Sequence, residues 1–244
     1  MNQFARIEQL IGNTSLQTLA QSRVAVFGLG AVGSFATEAL ARSGVGALVL
    51  VDFDQVDVSN INRQLFALHS TLGREKALVA RERVSDINPG CQVTVHSAFV
   101  NADSLTDLLN PDLDLVVDAI DGLNSKVNLI KGAKDLGLPL VSSMGAGGRT
   151  DTTMIRTGDL FDTEVCPLAR MVRQRLRRRG LDHGVPCVYS VEKALNKQPF
   201  RQEDAQDPLK DHGRPRPPIG SIAWVPGCFG LTLAALAVEE LLKD

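Results

Sequence analysis

The stretch VDFDQVDVSNINRQ, residues 51–64, places three acids, two asparagines and an arginine at the end of an apolar run. Upstream, Gly28-x-Gly30-x-x-Gly33 has the spacing of a nucleotide-binding turn. The first glycine permits the tight turn, the second lets backbone approach a phosphate, and the third lets a helix pack closely on a strand. Asp52 follows Gly33 by about 20 residues, the position from which a carboxylate accepts both ribose hydroxyls. Asn60 and Arg63 lie three apart, so one helical turn puts both on one side. Lys76 stands in the next helical stretch, and Asp121 closes the run DLVVDAID. Amide, guanidinium and ammonium groups beyond a ribose spread the charge of phosphates, and a carboxylate among them can hold Mg2+.

A glycine fingerprint alone does not separate NAD or FAD from ATP. A hydride-transferring enzyme needs an apolar slot for nicotinamide and has little use for Asn60, Arg63 and Lys76 past the ribose. A nucleotide-binding adaptor without turnover needs neither those groups nor Asp121. Singly, Arg63 and Lys76 read equally well as surface charges, and Asp121 as a helix N-cap. Gathered at strand ends around one crevice, they favour ATP.

The elements that must position these groups alternate. Residues 2–20 show helical periodicity, with Phe4, Ile7, Leu10, Ile11, Leu16 and Leu19 on one face. Residues 23–52 read strand, glycine turn, helix, strand, with Ser43-Gly44 stopping the helix. Helices are expected over 62–69 and 74–87, the second ended by Asn88-Pro89-Gly90. A strand over 92–96, a short helix over 104–109, a strand over 113–119, a helix over 125–136 and a strand over 139–143 follow. Such alternation implies an α/β fold: a doubly wound, mostly parallel, Rossmann-like sheet. After the turn at Gly145–Gly148 come a strand over 153–157 and a basic helix over 167–179. The polar stretch 192–218 is expected to be a mobile loop, followed by a short strand over 221–225 and a mostly buried helix over 229–242. The expected organisation is a single domain: a nucleotide-binding core over 1–150 and a substrate-side extension over 151–244 packed on the sheet.

Composition narrows the class. The chain has 244 residues, 44% of them hydrophobic, enough for one large α/β domain. A net charge of −2 gives no global pull toward nucleic acid or membrane, so any basic patch is local. Cys91, Cys166, Cys187 and Cys228 form no CxxC pair, which argues against a zinc ribbon and for free thiols in a reducing cytoplasm. His69, His96, His183 and His212 are scattered, and none is assigned a catalytic role. No secretory leader is read at the start. Residues 219–238 are uncharged and about as long as a membrane span, but Gly220, Pro226, Gly227 and Gly230 interrupt them, and membrane association is not expected.

GLGAVGS, VDFDQVDVSNINRQ, the Lys76 helix and DAID resemble the ThiF/MoeB/HesA superfamily of ATP-dependent carboxylate-adenylating enzymes, relatives of the ubiquitin-activating enzymes, over roughly residues 4–150. The resemblance implies that Asp52 binds ribose, that Asn60, Arg63 and Lys76 contact phosphates and that Asp121 holds Mg2+, with Asp54 and Gln64 in the same ATP-binding set. It implies that Arg6 enters the neighbouring subunit's ATP site, hence a homodimer. SSMGAGGRTDTTMIRTGDL, EVCPLARMVRQRLRRRG, VYSVE and GSIAWVPGCFGLTLA look like the branch that dehydrates threonylcarbamoyladenosine in tRNA, extending the resemblance to nearly the whole chain. That branch implies a tRNA substrate modified beside the anticodon, and leaves room for a monovalent cation and a sulfur-relay protein. The alternative it leaves open is activation of the C-terminal carboxylate of a ubiquitin-like sulfur carrier. In the basic helix, Arg170, Arg173 and Arg177 form a stripe that could track tRNA phosphates or be a solvated face. Cys187, in VPCVYS, is the leading thiol if a thioester is used, and an idle buried thiol otherwise.

Overall fold

The computed structural model describes residues 3–195 and 219–243. Seven strands form one sheet: β1 (Arg23–Phe27), β2 (Ala47–Val51), β3 (Gln92–His96), β4 (Leu115–Asp118), β5 (Leu140–Ser143), β6 (Ile155–Asp159) and β7 (Pro186–Ser190). Their order is β3-β2-β1-β4-β5-β7-β6. Every neighbouring pair is parallel except β6 with β7. β1, β2, β4 and β5 are buried along almost their whole length, as a parallel sheet covered on both faces demands.

The helices are α1 (Ala5–Gln21), α2 (Gly33–Arg42), α3 (Lys76–Ile87), α4 (Leu105–Leu108), α5 (Leu123–Asp135), α6 (Pro167–Arg177) and α7 (Trp224–Leu241). Side chains of α2, α3 and α7 form one core layer, and those of α4, α5 and α6 the other. The chain leaves β1 toward β2 on one side and returns to β4 on the other. Strand order therefore reverses beside β1, and the crevice at the carboxyl ends of β1 and β4 is where such a sheet takes a ligand.

Three elements differ from expectation. Residues 62–69 are not a helix: short 3-10 turns at Val58–Asn60 and His69–Thr71 flank irregular turns. Polar side chains there satisfy the backbone locally, as when Thr71 Oγ1 donates to Phe66 O at 2.8 Å. Residues 221–225 are not a strand, because α7 already begins at Trp224. Pro226 falls in its first turn, where the missing N–H costs nothing, and Gly227 and Gly230 are contact points rather than a bend. A Cβ on Gly230 would lie 2.4 Å from Val32 O and 2.7 Å from Phe35 Cβ, so the glycine is what lets α7 lie against α2. β7 was not expected at all.

Smaller differences concern α1 and α7. Gly12, at φ +83°, interrupts α1. α7, with mean hydropathy 1.3, is long and apolar enough to cross a membrane by length and composition, but only 44% of it is buried, short of the mostly buried helix expected. Its packed stripe runs through Phe229, Leu233 and Ala237, while Trp224 and Leu231 are exposed. The stretch expected to be mobile, 192–218, lies outside the described residues from 196 onward.

One ion pair lies wholly inside. Lys126 on α5 and Asp118 at the end of β4 are both fully buried, 2.6 Å apart. Ser142 Oγ on β5 donates to the same Asp118 carboxylate at 2.6 Å, and Lys126 Nζ also donates to Ser143 O at 2.9 Å. Removing one partner leaves an uncompensated buried charge, so K126M should lower the unfolding free energy by about 3–5 kcal/mol. Denaturant titration checks this, and the double variant D118N/K126M should recover much of the loss.

Candidate active site

The glycine turn is built by close packing. Gly28 has φ +87°, and a Cβ on it would stand 2.8 Å from Ala119 O, beyond the end of β4. A Cβ on Gly33 would meet Gly28 O at 1.7 Å. Only glycine at both places lets α2 close on the ends of β1 and β4. At Gly30 a Cβ would find only Gln64 Nε2, at 3.8 Å, so its backbone borders open space. α2 has no side-chain cap, and although Ser34 N–H donates to Gly30 O at 3.0 Å, the positive end of the helix faces the glycine turn, where an anion is favoured.

Asp52, just past β2, is buried and held by backbone: Leu29 N–H donates to Oδ2 at 2.6 Å and Asp54 N–H to Oδ1 at 2.9 Å. Burial pushes its carboxyl above the usual range, while the nearby Lys76 ammonium and the Leu29 N–H pull the other way. Lys76 opens α3 and is itself 4% exposed. Its N–H donates to Asp54 O at 3.0 Å, and its Nζ pairs with Asp54 Oδ2 at 2.8 Å. The ammonium is thus fixed beside two carboxylates.

Between these anchors the loop forms a capping box. Ser59 N–H donates to Asp57 Oδ1 at 2.8 Å, and Asp57 N–H to Asn60 Oδ1 at 3.2 Å. The N–H groups of Arg63 and Gln64 both reach Asn60 O, at 3.1 and 2.9 Å, so the single turn expected to bring Asn60 and Arg63 to one side is present without a longer helix. Arg63 Nη1 donates to Ser59 O and Asn62 Oδ1. Burial lowers its pKa, and the charge of Asp121 acts in the opposite sense, which places the two groups within electrostatic reach. Asp121 is exposed, three residues past the end of β4, in a turn shaped by Ile120 N–H donating to Asp118 Oδ1 at 3.1 Å.

Gly28, Gly30, Gly33, Asp52, Asp54, Asn60, Arg63, Gln64, Lys76 and Asp121 therefore share the carboxyl end of one sheet. Among the described residues there is no cluster of three His, Cys, Asp or Glu side chains able to hold a metal by themselves. Mg2+ binds through one or two carboxylates together with substrate phosphates, and the exposed carboxylate of Asp121 is compatible with that mode. Arg6 is exposed on α1, whose Leu16 and N-cap residue Phe4 pack at Gly44, ahead of β2 and at the other end of the sheet. It is not part of its own chain's crevice.

The basic helix needs one correction. Arg173 is less exposed than Arg170 and Arg177: it is half-buried, and its Nη1 donates to Leu160 O, Thr163 O and Thr163 Oγ1, because α6 packs on the turn after β6. It is a structural arginine. Arg170 and Arg177 are exposed, the latter lying 5.6 Å from the centroid of the Phe161 ring.

Two residues carry no sequence signal beyond their position in a polar run. Arg149 is 3% exposed; its Nε donates to Glu192 O and its Nη1 to the carbonyls of Gly145 and Gly147, while Nη2 has no partner among the described residues. Asn62 accepts from Arg63 and donates to Ser221 O at 2.9 Å, tying the loop after β2 to the foot of α7. Neither was expected to act here. The glycine loop itself is stitched at Gly148, whose N–H donates to Gly220 O at 2.7 Å and whose carbonyl accepts from Leu195 N–H at 2.8 Å.

The ThiF family profile matches residues 4–244. The chain belongs to the ThiF family. Among its ThiF relatives, tRNA threonylcarbamoyladenosine dehydratase of Bacillus subtilis is 42% identical over 245 residues, covering 100% of this chain and 96% of that one. The Escherichia coli protein of the same description is 42% identical over 197 residues, covering 78% of this chain and 73% of the relative. Molybdopterin-synthase adenylyltransferase of Escherichia coli is 37% identical over 126 residues, 52% of this chain and 50% of its own length. In structure, the Escherichia coli tRNA N6-threonylcarbamoyladenosine dehydratase in complex with ATP superposes with a TM-score of 0.87 at 36% identity, covering 98% of this chain and 93% of that one.

The thiols of this ThiF protein are not equivalent. Cys166 and Cys187 are buried; burial and the Asp159 charge push Cys187 up to about 12, and burial pushes Cys91 up to about 11. Cys228 is partly exposed. A thiol with so high a pKa is almost entirely protonated at pH 8, and the thiolate is the nucleophile. A disulfide reagent at pH 8 should modify one thiol quickly, Cys228, with the other three reacting only on unfolding. C228S should abolish the fast phase.

Proposed function

We propose that this protein is an ATP-dependent tRNA threonylcarbamoyladenosine dehydratase, which adenylates the carboxylate of the modified base and then closes it into a ring. The observation that carries the chemistry is the assembly of Asp52, Lys76, Asn60, Arg63 and Asp121 around one crevice at the reversal of strand order. The relatives of that description, similar over the full chain, supply the substrate. Sulfur-carrier activation is the more distant reading, since the adenylyltransferase relative matches only about half of the chain.

A carboxylate is ionised at neutral pH and needs no base to attack. The barrier is the approach of one anion to another, and Arg63, Lys76 and Asn60 lower it by charge and position. In this reading Asp52 takes the ribose, the backbone at Gly28, Gly30 and Gly33 admits the phosphates, and Asp54 and Gln64 support Lys76 and the loop. Asp121 would hold Mg2+, which neutralises phosphate charge when bound. The carboxylate oxygen forms a bond to the α-phosphorus as the bond to pyrophosphate breaks. A nucleophile within the modified base then attacks the acyl carbon, loses its proton, and expels AMP. The oxygen removed from the substrate leaves in AMP, which is what makes the net reaction a dehydration. No cysteine is used, in keeping with the burial of Cys187.

We further assign a homodimer in which Arg6 serves the other subunit's crevice. Its distance from its own crevice and the exposed Trp224 and Leu231 of α7 support that arrangement. A tRNA substrate argues for the cytoplasm. Among the described residues, no feature favours a monovalent cation site or a sulfur-relay partner.

The test is mass spectrometry of nucleosides from tRNA carrying threonylcarbamoyladenosine, incubated with protein, ATP and Mg2+. Threonylcarbamoyladenosine should lose one water, and substrate labelled with 18O in the carboxylate should transfer one label to AMP. K76A and D121A should lower turnover by about 10²–10³-fold, the scale of removing one transition-state hydrogen bond. C187S should retain turnover; its loss with adenylation intact would establish a thioester route.

A further inference from the structure

The exposed arginines of α6 are organised by α5. Arg175 Nη1 donates to Asn124 Oδ1, and Arg179 Nη1 donates to Asn128 Oδ1 at 2.8 Å. Asn124 and Asn128 are one turn apart on α5; Arg175 stands in the last turn of α6 and Arg179 four residues on, in the turn that follows it, so the chain runs beside α5 in the same direction with two matching rungs. α5 begins two residues after Asp121, which puts the first rung beside the crevice and the second one turn further out. The pinning groups are neutral amides, which orient a guanidinium without cancelling its charge. Among the described residues, Arg170, Arg175, Arg177, Arg178 and Arg179 make no salt bridge, although all are exposed.

We propose that the Asn124–Arg175 and Asn128–Arg179 rungs form a docking track for the RNA backbone next to the modified base. The proposal rests on the dehydratase reading and adds the surface on which the substrate lies. A guanidinium held in place by one N–H keeps other N–H groups free for a phosphate, and a pre-oriented fork loses less entropy on binding than a free side chain. Regular spacing along one direction suits a polyanion with regularly spaced charges. Arg173, half-buried against the turn after β6, bonds no asparagine of α5 and is not one of the rungs.

The test is tRNA binding across a salt series, with the intact protein and tRNA carrying threonylcarbamoyladenosine. Removing one arginine from a phosphate lowers the slope of log K against log salt by about 0.7–0.9. R175Q/R179Q should bind tRNA about tenfold more weakly at moderate salt with the slope reduced by about 1.5, while ATP affinity stays at the wild-type value. N128D keeps Arg179 but gives it a carboxylate partner, and should reduce the slope by about 0.8. Wild-type affinity and slope in both variants, with the wild-type protein active, would overturn the track and leave the dehydratase reading standing. Loss of binding to a small acidic protein, with tRNA binding unchanged, would assign the face to that partner and overturn it too. A wild-type protein that neither binds nor dehydrates the tRNA removes both readings.

Discussion

The buried pair of Asp118 and Lys126 is the constraint around which the crevice is arranged. Two charges taken wholly out of water are tolerated only when each is matched and its remaining hydrogen-bonding capacity used. Both conditions hold: the carboxylate receives Lys126 Nζ, Ser142 Oγ and Ile120 N–H, and the ammonium also reaches Ser143 O. Each contact fixes a different element. Ile120 sets the turn that presents Asp121, Ser142 and Ser143 fix the end of β5 where the glycine loop begins, and Lys126 locks α5 in rotation. A hydrophobic pair of the same volume would pack as well but would not specify these positions.

The nucleotide side of the crevice follows the same logic nearer to water. Asp52 is held by two backbone donors, and Lys76 is held by Asp54. These groups do not need to search for their places when an anionic ligand enters, so little reorganisation remains for the reaction itself. Asn62 and Gly148 carry this rigidity into the second half of the chain, because the loop after β2, the foot of α7 and the glycine loop after β5 are joined by hydrogen bonds.

Features written in local spacing were legible in the sequence, and features decided by distant partners were not. The glycine turn, Asp52, the pairing of Asn60 with Arg63 and most of the alternating elements depend on neighbours a few residues away. The charges around the crevice could be gathered from the sequence because parallel α/β folds put strand ends on one side. β7 escaped because a five-residue strand is defined by β5 and β6 on either side, and its own run, PCVYS, carries little pattern. The helix expected over 62–69 failed because its polar side chains bond the backbone first. Pro226 and Gly227 looked like a turn, since sequence cannot show that Pro226 sits in a first helical turn or that Gly227 faces Phe35 of α2. In α6 the spacing placed Arg173 in the exposed stripe, but nothing in the spacing reveals that Thr163 waits opposite it.

The strand order also bears on how the chain is made. β1 finds β2 soon after synthesis, but its other edge waits for β4, roughly sixty residues further along. At about 5–20 residues per second that wait lasts several seconds on the ribosome. Throughout it, Val24, Ala25 and Val26 present an open, apolar strand edge to the cell, the kind that recruits other nascent chains. Growth conditions that slow translation between residues 51 and 115 would lengthen that exposure and with it the demand for chaperones.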